Sequence, residues 1–177
     1  VCDSDSNSLP FEEVEQLGGK LHVIPPYQQI GKHIKALEKL FKENHYDVFH
    51  AMNNTMNIFP LYVAKKAGVK VRVSESLSMA SKAELKKSIL KIVLKQFSHL
   101  FCNYYVACGK DCGIFQFGKK AYQQGKIEIF KTCIDAKANT FNQALRDKTR
   151  ESFGWSDKIV YGFIGRFASQ KNPLFLI

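Results

Sequence analysis

Apolar and polar positions along the chain alternate between a helical spacing and short continuous apolar runs. The helical spacing predicts a short helix after Gly109 and longer helices over residues 11–17, 28–44, 55–67, 83–101 and 143–153. The apolar runs predict strands at residues 21–24, 46–50, 69–73, 104–107 and 127–130. Strands separated by helices indicate a parallel sheet. The pattern therefore predicts a Rossmann-like α/β domain with helices on both faces of the sheet.

Polar loops follow four of these predicted strands. In parallel sheets the carboxyl ends of the strands meet at one edge, and ligands bind there. The loops that share this edge cover residues 50–55, 74–81, 108–111 and 131–135. Every α/β protein has polar loops at this edge, so their position alone does not establish a site.

The last twenty residues carry a different pattern. A predicted strand over residues 159–164 runs into Gly165 and Arg166, and Lys171 is followed by Asn172 and Pro173. Asn favours the N-cap of a helix and Pro its first turn. A strand, a glycine turn, two cations and a helix N-terminus suit a phosphate or diphosphate. We predict a second Rossmann-like domain whose first strand lies in residues 156–177, after a first domain over 1–155.

Composition and charge narrow the function classes. The chain has 177 residues, 45% of them hydrophobic, and a formal net charge of +10, which favours a negatively charged partner such as a membrane, a nucleotide or a nucleic acid. No helix-turn-helix, RNP or zinc-finger pattern is present, so no nucleic-acid partner is predicted. The five cysteines are irregularly spaced, which favours reduced, cytoplasmic thiols, and a zinc site with Cys108, Cys112 and a histidine is an open alternative.

The order of the motifs resembles the group-one (family four) glycosyltransferases, and among them the bacterial capsular and exopolysaccharide enzymes. The motifs that carry the resemblance are EEVEQLGGKLHVIPP, HIKALEKLFKENHYDVFHA, FPLYVAKKAGVKVR, YYVACG, FGKKAYQQGKIEIF, the Ile-Asp at 134–135 and GFIGRFASQKN. They cover essentially the whole chain in order.

The resemblance implies a GT-B architecture, in which two Rossmann-like domains face each other across a cleft. The N-terminal domain receives the acceptor and the C-terminal domain holds a nucleotide-diphosphate sugar, which is transferred with retention and without a metal or other cofactor. Against this pattern the chain begins at the end of the second strand and lacks nearly all of the donor domain. We therefore expect an incomplete N-terminal domain that is inactive alone. Arg166 and Lys171 match the family's diphosphate-neutralising cations, and Gly165 allows the close approach of a phosphate.

On the acceptor side the chain departs from the family. Met52 stands where close relatives tend to have histidine, and Glu75-Ser76-Leu77-Ser78 replaces a frequent His-Ser-His-Ser run. Two candidates for catalysis remain, His50 and Glu75. Other polar residues are predicted to line the acceptor-side cleft: Asn53, Asn54, Ser76, Ser78 and Asp135. Two alternatives stay open, namely a His50 held by a backbone carbonyl and a Glu75 that is a solvated loop carboxylate.

Residues 83–101 combine a wide apolar face with a lysine stripe. The lysines on or beside this helix are Lys82, Lys86, Lys87, Lys91 and Lys95. This pattern is typical of a helix that lies on an anionic membrane surface, and also of a helix that covers a sheet with its lysines outside. Because the resembling enzymes often use lipid-linked acceptors, we expect a cytoplasmic protein bound peripherally to the inner face of the membrane.

Two interpretations of function result. The first is part of a retaining glycosyltransferase that moves a sugar from a nucleotide-diphosphate donor to a glycan or lipid-linked acceptor. The second is a non-catalytic Rossmann-like remnant or binding module derived from such an enzyme.

Overall fold

The computed structural model describes residues 9–79, 85–168 and 171–176. The chain divides into two compact units, Val1–Lys131 and Thr132–Ile177. The domain boundary after residue 155 stays a prediction.

The first unit is built on a four-stranded parallel sheet with the strand order β1-β2-β3-β4. The strands are β1 (Val48–Ala51), β2 (Val71–Ser76), β3 (Tyr104–Ala107) and β4 (Ile127–Ile129). Each strand pairs with the next one along the chain. The predicted parallel α/β sheet is confirmed.

Helices separate these strands along the chain. The α-helices are α1 (Phe11–Gln16), α2 (Ile30–Glu43), α3 (Ile58–Lys66), α4 (Leu85–Lys95), α5 (Lys110–Phe117), α6 (Lys119–Gln123) and α7 (Gln143–Ser152). Single 3₁₀ turns form at Tyr27–Gln29, Asn54–Asn57 and Pro173–Leu176. Among the described residues no helix is both long enough and apolar enough to cross a bilayer.

The main core forms where α2 and α3 pack together. Leu37 of α2 and Val63 of α3 are each only 1% exposed, because the helical spacing of the apolar residues puts them on the buried side of their helices. Phe41 contacts the rings of Tyr46 and Phe49 edge to face, with centroids 5.6 and 5.2 Å apart. These contacts connect α2 to the first strand of the sheet.

One face of the sheet is covered by helices α3 and α5. Ala51 of β1 clusters with Leu61 of α3, and the Cα of Gly113 in α5 approaches Ala107 and Ile127 so closely that a Cβ would lie 3.0 Å from Ile127 Cγ2. The opposite face carries Val48 and Tyr104, each 55% exposed. The predicted helical cover is therefore observed on one face at these positions and not on the other.

Several predicted element boundaries were wrong. Residues 21–24 hold only an isolated bridge at Val23, and α4 ends at Lys95 because the next amides bond three residues back (the Gln96 amide to the Val93 carbonyl). Strand β2 begins two residues later than predicted and continues through Glu75 to Ser76.

The second unit contains α7 and lacks the strand predicted over residues 159–164. Ile164 is fully exposed and Tyr161 is 85% exposed, and no described strand pairs with their backbone. Asn172 has a φ of +47°, in the left-handed region, so it is not an extended N-cap, and Pro173 begins a 3₁₀ turn rather than an α-helix.

Candidate active site

The carboxyl ends of the four strands meet at one edge of the sheet. Because the strands are parallel, β1 ends there at Ala51, β2 at Ser76 and β3 at Ala107. Open parallel sheets bind ligands in the crevice outside this edge. His50 and Glu75 lie at this edge, in neighbouring strands.

His50 Nε2 and Glu75 Oε2 lie 2.8 Å apart, within hydrogen-bonding distance. The Glu75 side chain is 4% exposed and the His50 side chain 41%, so the carboxylate is the buried member of the pair. A buried carboxylate needs such a partner. A carboxylate that holds one ring nitrogen also fixes the ring for hydrogen bonding or proton transfer at the other. This leaves Nδ1 for a ligand.

Both alternatives left open by the sequence are wrong for this pair. Glu75 is a buried strand residue, not a solvated loop carboxylate. His50 contacts a side-chain carboxylate rather than a backbone carbonyl. The sequence suggested the two residues separately, and the structure brings them together.

Asn57, which the sequence analysis missed, links the loop after β1 to β2. Its buried Nδ2 donates to Ser74 Oγ and to the backbone oxygen of Glu75, both at 3.0 Å. Its Oδ1 accepts from the backbone N–H of Asn53. The available signal was the amide-rich run from Asn53 to Asn57 directly after a strand. This amide holds the backbone that positions the Glu75 carboxylate.

Asn54 connects the two loops at this edge. Its φ is +54°, a conformation that Asn tolerates better than most residues. Its Oδ1 accepts from the backbone N–H groups of Leu77 and Ser78 at 2.7 and 2.8 Å. The predicted cleft residues Asn53, Asn54 and Ser78 therefore lie together, and the amide oxygen of Asn54 is used to order the loop.

Ser76 was predicted to line the acceptor cleft, and its geometry does not support that role. It is fully buried, and its hydroxyl donates to the backbone oxygen of Cys112 at 3.0 Å. The hydroxyl therefore connects β2 to α5. The sequence placed Ser76 in a solvated loop because polar residues follow Val73 without interruption.

A cavity of about 760 Å³ opens beside His50. Near His50 it is lined by Met52, Asn53 and Asn57, and farther away by two histidines, a lysine and several aromatic rings, including Lys20, His22, Tyr27 and His33. His33 is buried, and its Nδ1 lies 2.7 Å from the backbone oxygen of Pro25. Amide, imidazole and ammonium groups beside aromatic rings suit a ligand rich in hydroxyl groups or a negatively charged ligand. The sequence analysis did not find Lys20, His22 or Tyr27.

Asp135 lies in the second unit and orders a turn there. Its Oδ1 accepts from the backbone N–H groups of Lys137 and Ala138 at 2.9 and 3.0 Å. This is the geometry of an Asx turn. The carboxylate is exposed, and its predicted role in the acceptor cleft stays a prediction.

Gly165, Arg166 and Lys171 lie in the second unit, outside α7. Arg166 and Lys171 are exposed, and a Cβ on Gly165 would lie 3.7 Å from Lys171 Cγ, so the lysine stem passes beside the glycine. The backbone N–H of Ala168 donates to the Arg166 oxygen at 2.8 Å, and that of Lys171 to the Ala168 oxygen at 2.8 Å. The backbone of Ala168 thus bonds to the backbone of both cationic residues.

The zinc alternative has no support in the described parts of the chain. Cys108 and Cys112 have their sulfur atoms 3.7 Å apart. Within residues 9–79, 85–168 and 171–176, however, no three His, Cys, Asp or Glu side chains group as metal ligands would.

Comparison with known proteins shows what the chain is similar to. No family model matches it. Over 172 residues it is 27% identical to a Bacillus subtilis (strain 168) protein described as "Putative glycosyltransferase EpsF". The aligned region covers 94% of this chain and 45% of the relative. The crystal structure of Anabaena Alr3699/HepE in complex with UDP-glucose superposes with a TM-score of 0.67 at 17% identity, over 93% of this chain and 44% of that one.

These similarities confirm the resemblance to glycosyltransferases and the GT-B-type α/β fold. The chain spans less than half the length of each of these two proteins. The matched region is therefore only a part of each of those two proteins.

Proposed function

We propose that this chain is the acceptor-side part of a glycosyltransferase that uses a nucleotide-diphosphate sugar in the synthesis of a surface polysaccharide. The observation that carries the proposal is the sequence similarity to the Bacillus glycosyltransferase, which extends over 94% of the chain. The fold shared with a protein that binds UDP-glucose supports a nucleotide-sugar donor.

In this proposal His50 and Glu75 handle the acceptor. Glu75 orients the imidazole through the 2.8 Å contact with Nε2, and Nδ1 of His50 accepts a hydrogen bond or a proton from the attacking hydroxyl group. The adjacent cavity of about 760 Å³ accommodates a sugar of a glycan or lipid-linked acceptor. Transfer with retention of configuration is the mechanism that we expect from the family resemblance.

Gly165, Arg166 and Lys171 are proposed to contact the donor diphosphate. Two exposed cations near a glycine can neutralise the charge that develops as the nucleoside diphosphate leaves. Because these cations would supply the neutralisation, we expect no requirement for a metal.

The test measures transfer and donor hydrolysis by this chain within its full coding sequence, on a panel of UDP- and GDP-sugars. Arg166→Ala and Lys171→Ala should each reduce turnover by about 10²-fold, the scale seen when one transition-state charge stabiliser is removed. Lys148→Ala, an exposed cation of the same unit, is the control and should retain activity. Turnover that survives both site variants would contradict the diphosphate role.

A second candidate function, a non-catalytic binding module, is favoured by one observation. Three residues that were predicted to line the acceptor-side cleft, Ser76, Asn54 and Asp135, use their side chains for hydrogen bonds within the fold. Such side chains serve the structure of the fold rather than an acceptor. If the folded full-length protein binds nucleotide sugars or glycans without turnover, the binding module is the better description.

We also propose that α4 binds the inner face of an anionic membrane. Ile89, Ile92 and Val93 are 62%, 47% and 52% exposed, an apolar surface that a sheet-covering helix would bury. Lys91 Nζ lies 3.4 Å from the Met79 oxygen, and Lys95 Nζ lies 4.6 Å from the centroid of the Phe115 ring, so both stems lie along the protein. Lys86 and Lys87 are in the same helix, and Lys82 lies outside the described residues.

A further inference from the structure

Two cysteines come into contact where β3 meets α5. Cys108 directly follows β3, and Cys112 lies in the first turn of α5, with Gly109 as the N-cap between them. Their sulfur atoms are 3.7 Å apart, and both residues are partly exposed. Small solutes in the solvent can therefore reach a thiol pair.

The pair lies directly against the candidate active site. The backbone N–H of Cys108 donates to the Ser76 oxygen at 3.0 Å, and the Cys112 oxygen accepts from Ser76 Oγ at 3.0 Å. Ser76 follows Glu75 in β2. Backbone groups of the two cysteines are thus bonded to both the backbone oxygen and the side-chain hydroxyl of Ser76, at the end of β2.

We propose that Cys108 and Cys112 form an oxidative modification site that closes to an intrachain disulfide. The sulfur atoms are in van der Waals contact at 3.7 Å, and closure of the bridge shortens this separation to about 2.05 Å. Neither cysteine has a part in the proposed transfer reaction. The bridge would join the end of β3 to the first turn of α5, beside the strand that carries Glu75.

The chemistry balances with a peroxide as the oxidant. The Cys108 thiolate attacks hydrogen peroxide, the O–O bond breaks, and a sulfenic acid and hydroxide form. The Cys112 sulfur then attacks the Cys108 sulfur, the S–S bond forms, the S–O bond breaks, and the released hydroxide takes the Cys112 proton as water. Burial and the neighbouring Cys108 raise the pKa of the Cys112 thiol to about 11.

The experiment treats the full chain with hydrogen peroxide and counts thiols after denaturation. We expect two of the five cysteines to become protected, with the protection reversed by dithiothreitol. Trypsin cleaves after Lys95 and Lys110, so the link joins the peptide that contains Cys102 and Cys108 to the peptide that contains Cys112. The Cys102→Ala variant must keep this link, and Cys108→Ser must lose it.

A second variant and an unfolded control test the geometry. In Cys112→Ala the sulfenic acid of Cys108 has no partner and should accumulate as an adduct with dimedone. In urea the link should form roughly tenfold more slowly, because the two sulfurs lose their fixed contact. A link that persists in Cys108→Ser would overturn the proposal. Stable sulfenic or sulfinic acid on Cys108 of the folded chain without substitutions, after peroxide treatment, would also overturn it.

Discussion

The Glu75 carboxylate in β2 contacts the imidazole of His50, which lies diagonally opposite in the neighbouring strand β1. The strand partner of His50 is Val73, and Glu75 lies two residues farther along β2, so its side chain projects from the same face of the sheet. Among the described residues, the imidazole is the side chain that contacts this carboxylate, which is almost fully buried. Removing the imidazole therefore leaves the buried carboxylate without this partner, whereas the partly exposed imidazole can still be solvated when the carboxylate is removed.

We predict that His50→Ala lowers the free energy of unfolding by about 2 kcal/mol, because the Glu75 carboxylate then stays buried without its partner. In the His50→Ala background, Glu75→Gln should recover part of this loss. His45→Ala is the control, because His45 and Asp47 form a 3.7 Å contact in which both side chains are more than four-fifths exposed. It should change the free energy by less than about 0.5 kcal/mol. Urea denaturation followed by circular dichroism measures all four proteins, and equal losses in the two histidine variants would refute the prediction.

Stability should fall at alkaline pH in part through Cys102. Burial raises the pKa of this thiol from 9.0 to about 11. In the unfolded chain the thiol ionises at lower pH than in the folded protein, so its contribution to stability is complete below pH 9 and is lost as the pH rises through 11. The urea midpoint of the unmodified chain should therefore fall more between pH 8.5 and pH 10.5 than that of Cys102→Ala. Parallel pH profiles would show that Cys102 does not contribute.

Two helical glycines should respond to alanine with opposite signs. A Cβ on Gly113 would lie 3.0 Å from Ile127 Cγ2 and 3.2 Å from Ala107 Cβ, so Gly113→Ala should destabilise by about 1 kcal/mol through overpacking. Gly31 in α2 has no atom within 4 Å of such a Cβ, and Gly31→Ala should stabilise by about 0.5 kcal/mol through helix propensity. Thermal unfolding of the two variants provides the comparison, and a stabilised Gly113→Ala would mean that α5 moves away from the sheet at little cost.

Membrane binding by α4 should depend on both its charge and its apolar face. Sedimentation of the full-length protein with vesicles that contain anionic lipid, at low salt, should weaken by about fivefold for each of Lys91→Glu and Lys95→Glu. Ile92→Ser should weaken it further, because an exposed apolar contact is lost. Lys148→Glu makes the same charge change in α7 and serves as the control. Binding to neutral vesicles that equals binding to anionic ones would exclude the electrostatic part of the mechanism.

Much of the fold follows from periodicity, and the site follows less well. Helix α2 and strand β3 were predicted closely, because each places its apolar residues at one clear spacing. Strand β2 was predicted to end at Val73, since Ser74, Glu75 and Ser76 look solvated. Their partners are distant in sequence: the amide of Asn57, the imidazole of His50 and the backbone oxygen of Cys112. A single sequence cannot show such partners.

The opposite error occurred at residues 159–164, where an apolar run predicted a strand that the structure lacks. An apolar run indicates only that burial is favourable. A strand also needs a neighbouring backbone to satisfy its N–H and C=O groups, and residues 159–164 form no strand ladder among the described residues.

The strand order has a consequence for how this chain acquires its structure during synthesis. Among the described strands, β2, β3 and β4 each pair with the strand that precedes them in the sequence. Each of these three strands therefore finds its template already present when it leaves the ribosome, and none of the three has to wait for a distant C-terminal partner. Short separations between paired segments speed folding and limit the time for which unpaired edges are exposed to aggregation. The sheet can thus grow one strand at a time, in the direction of translation.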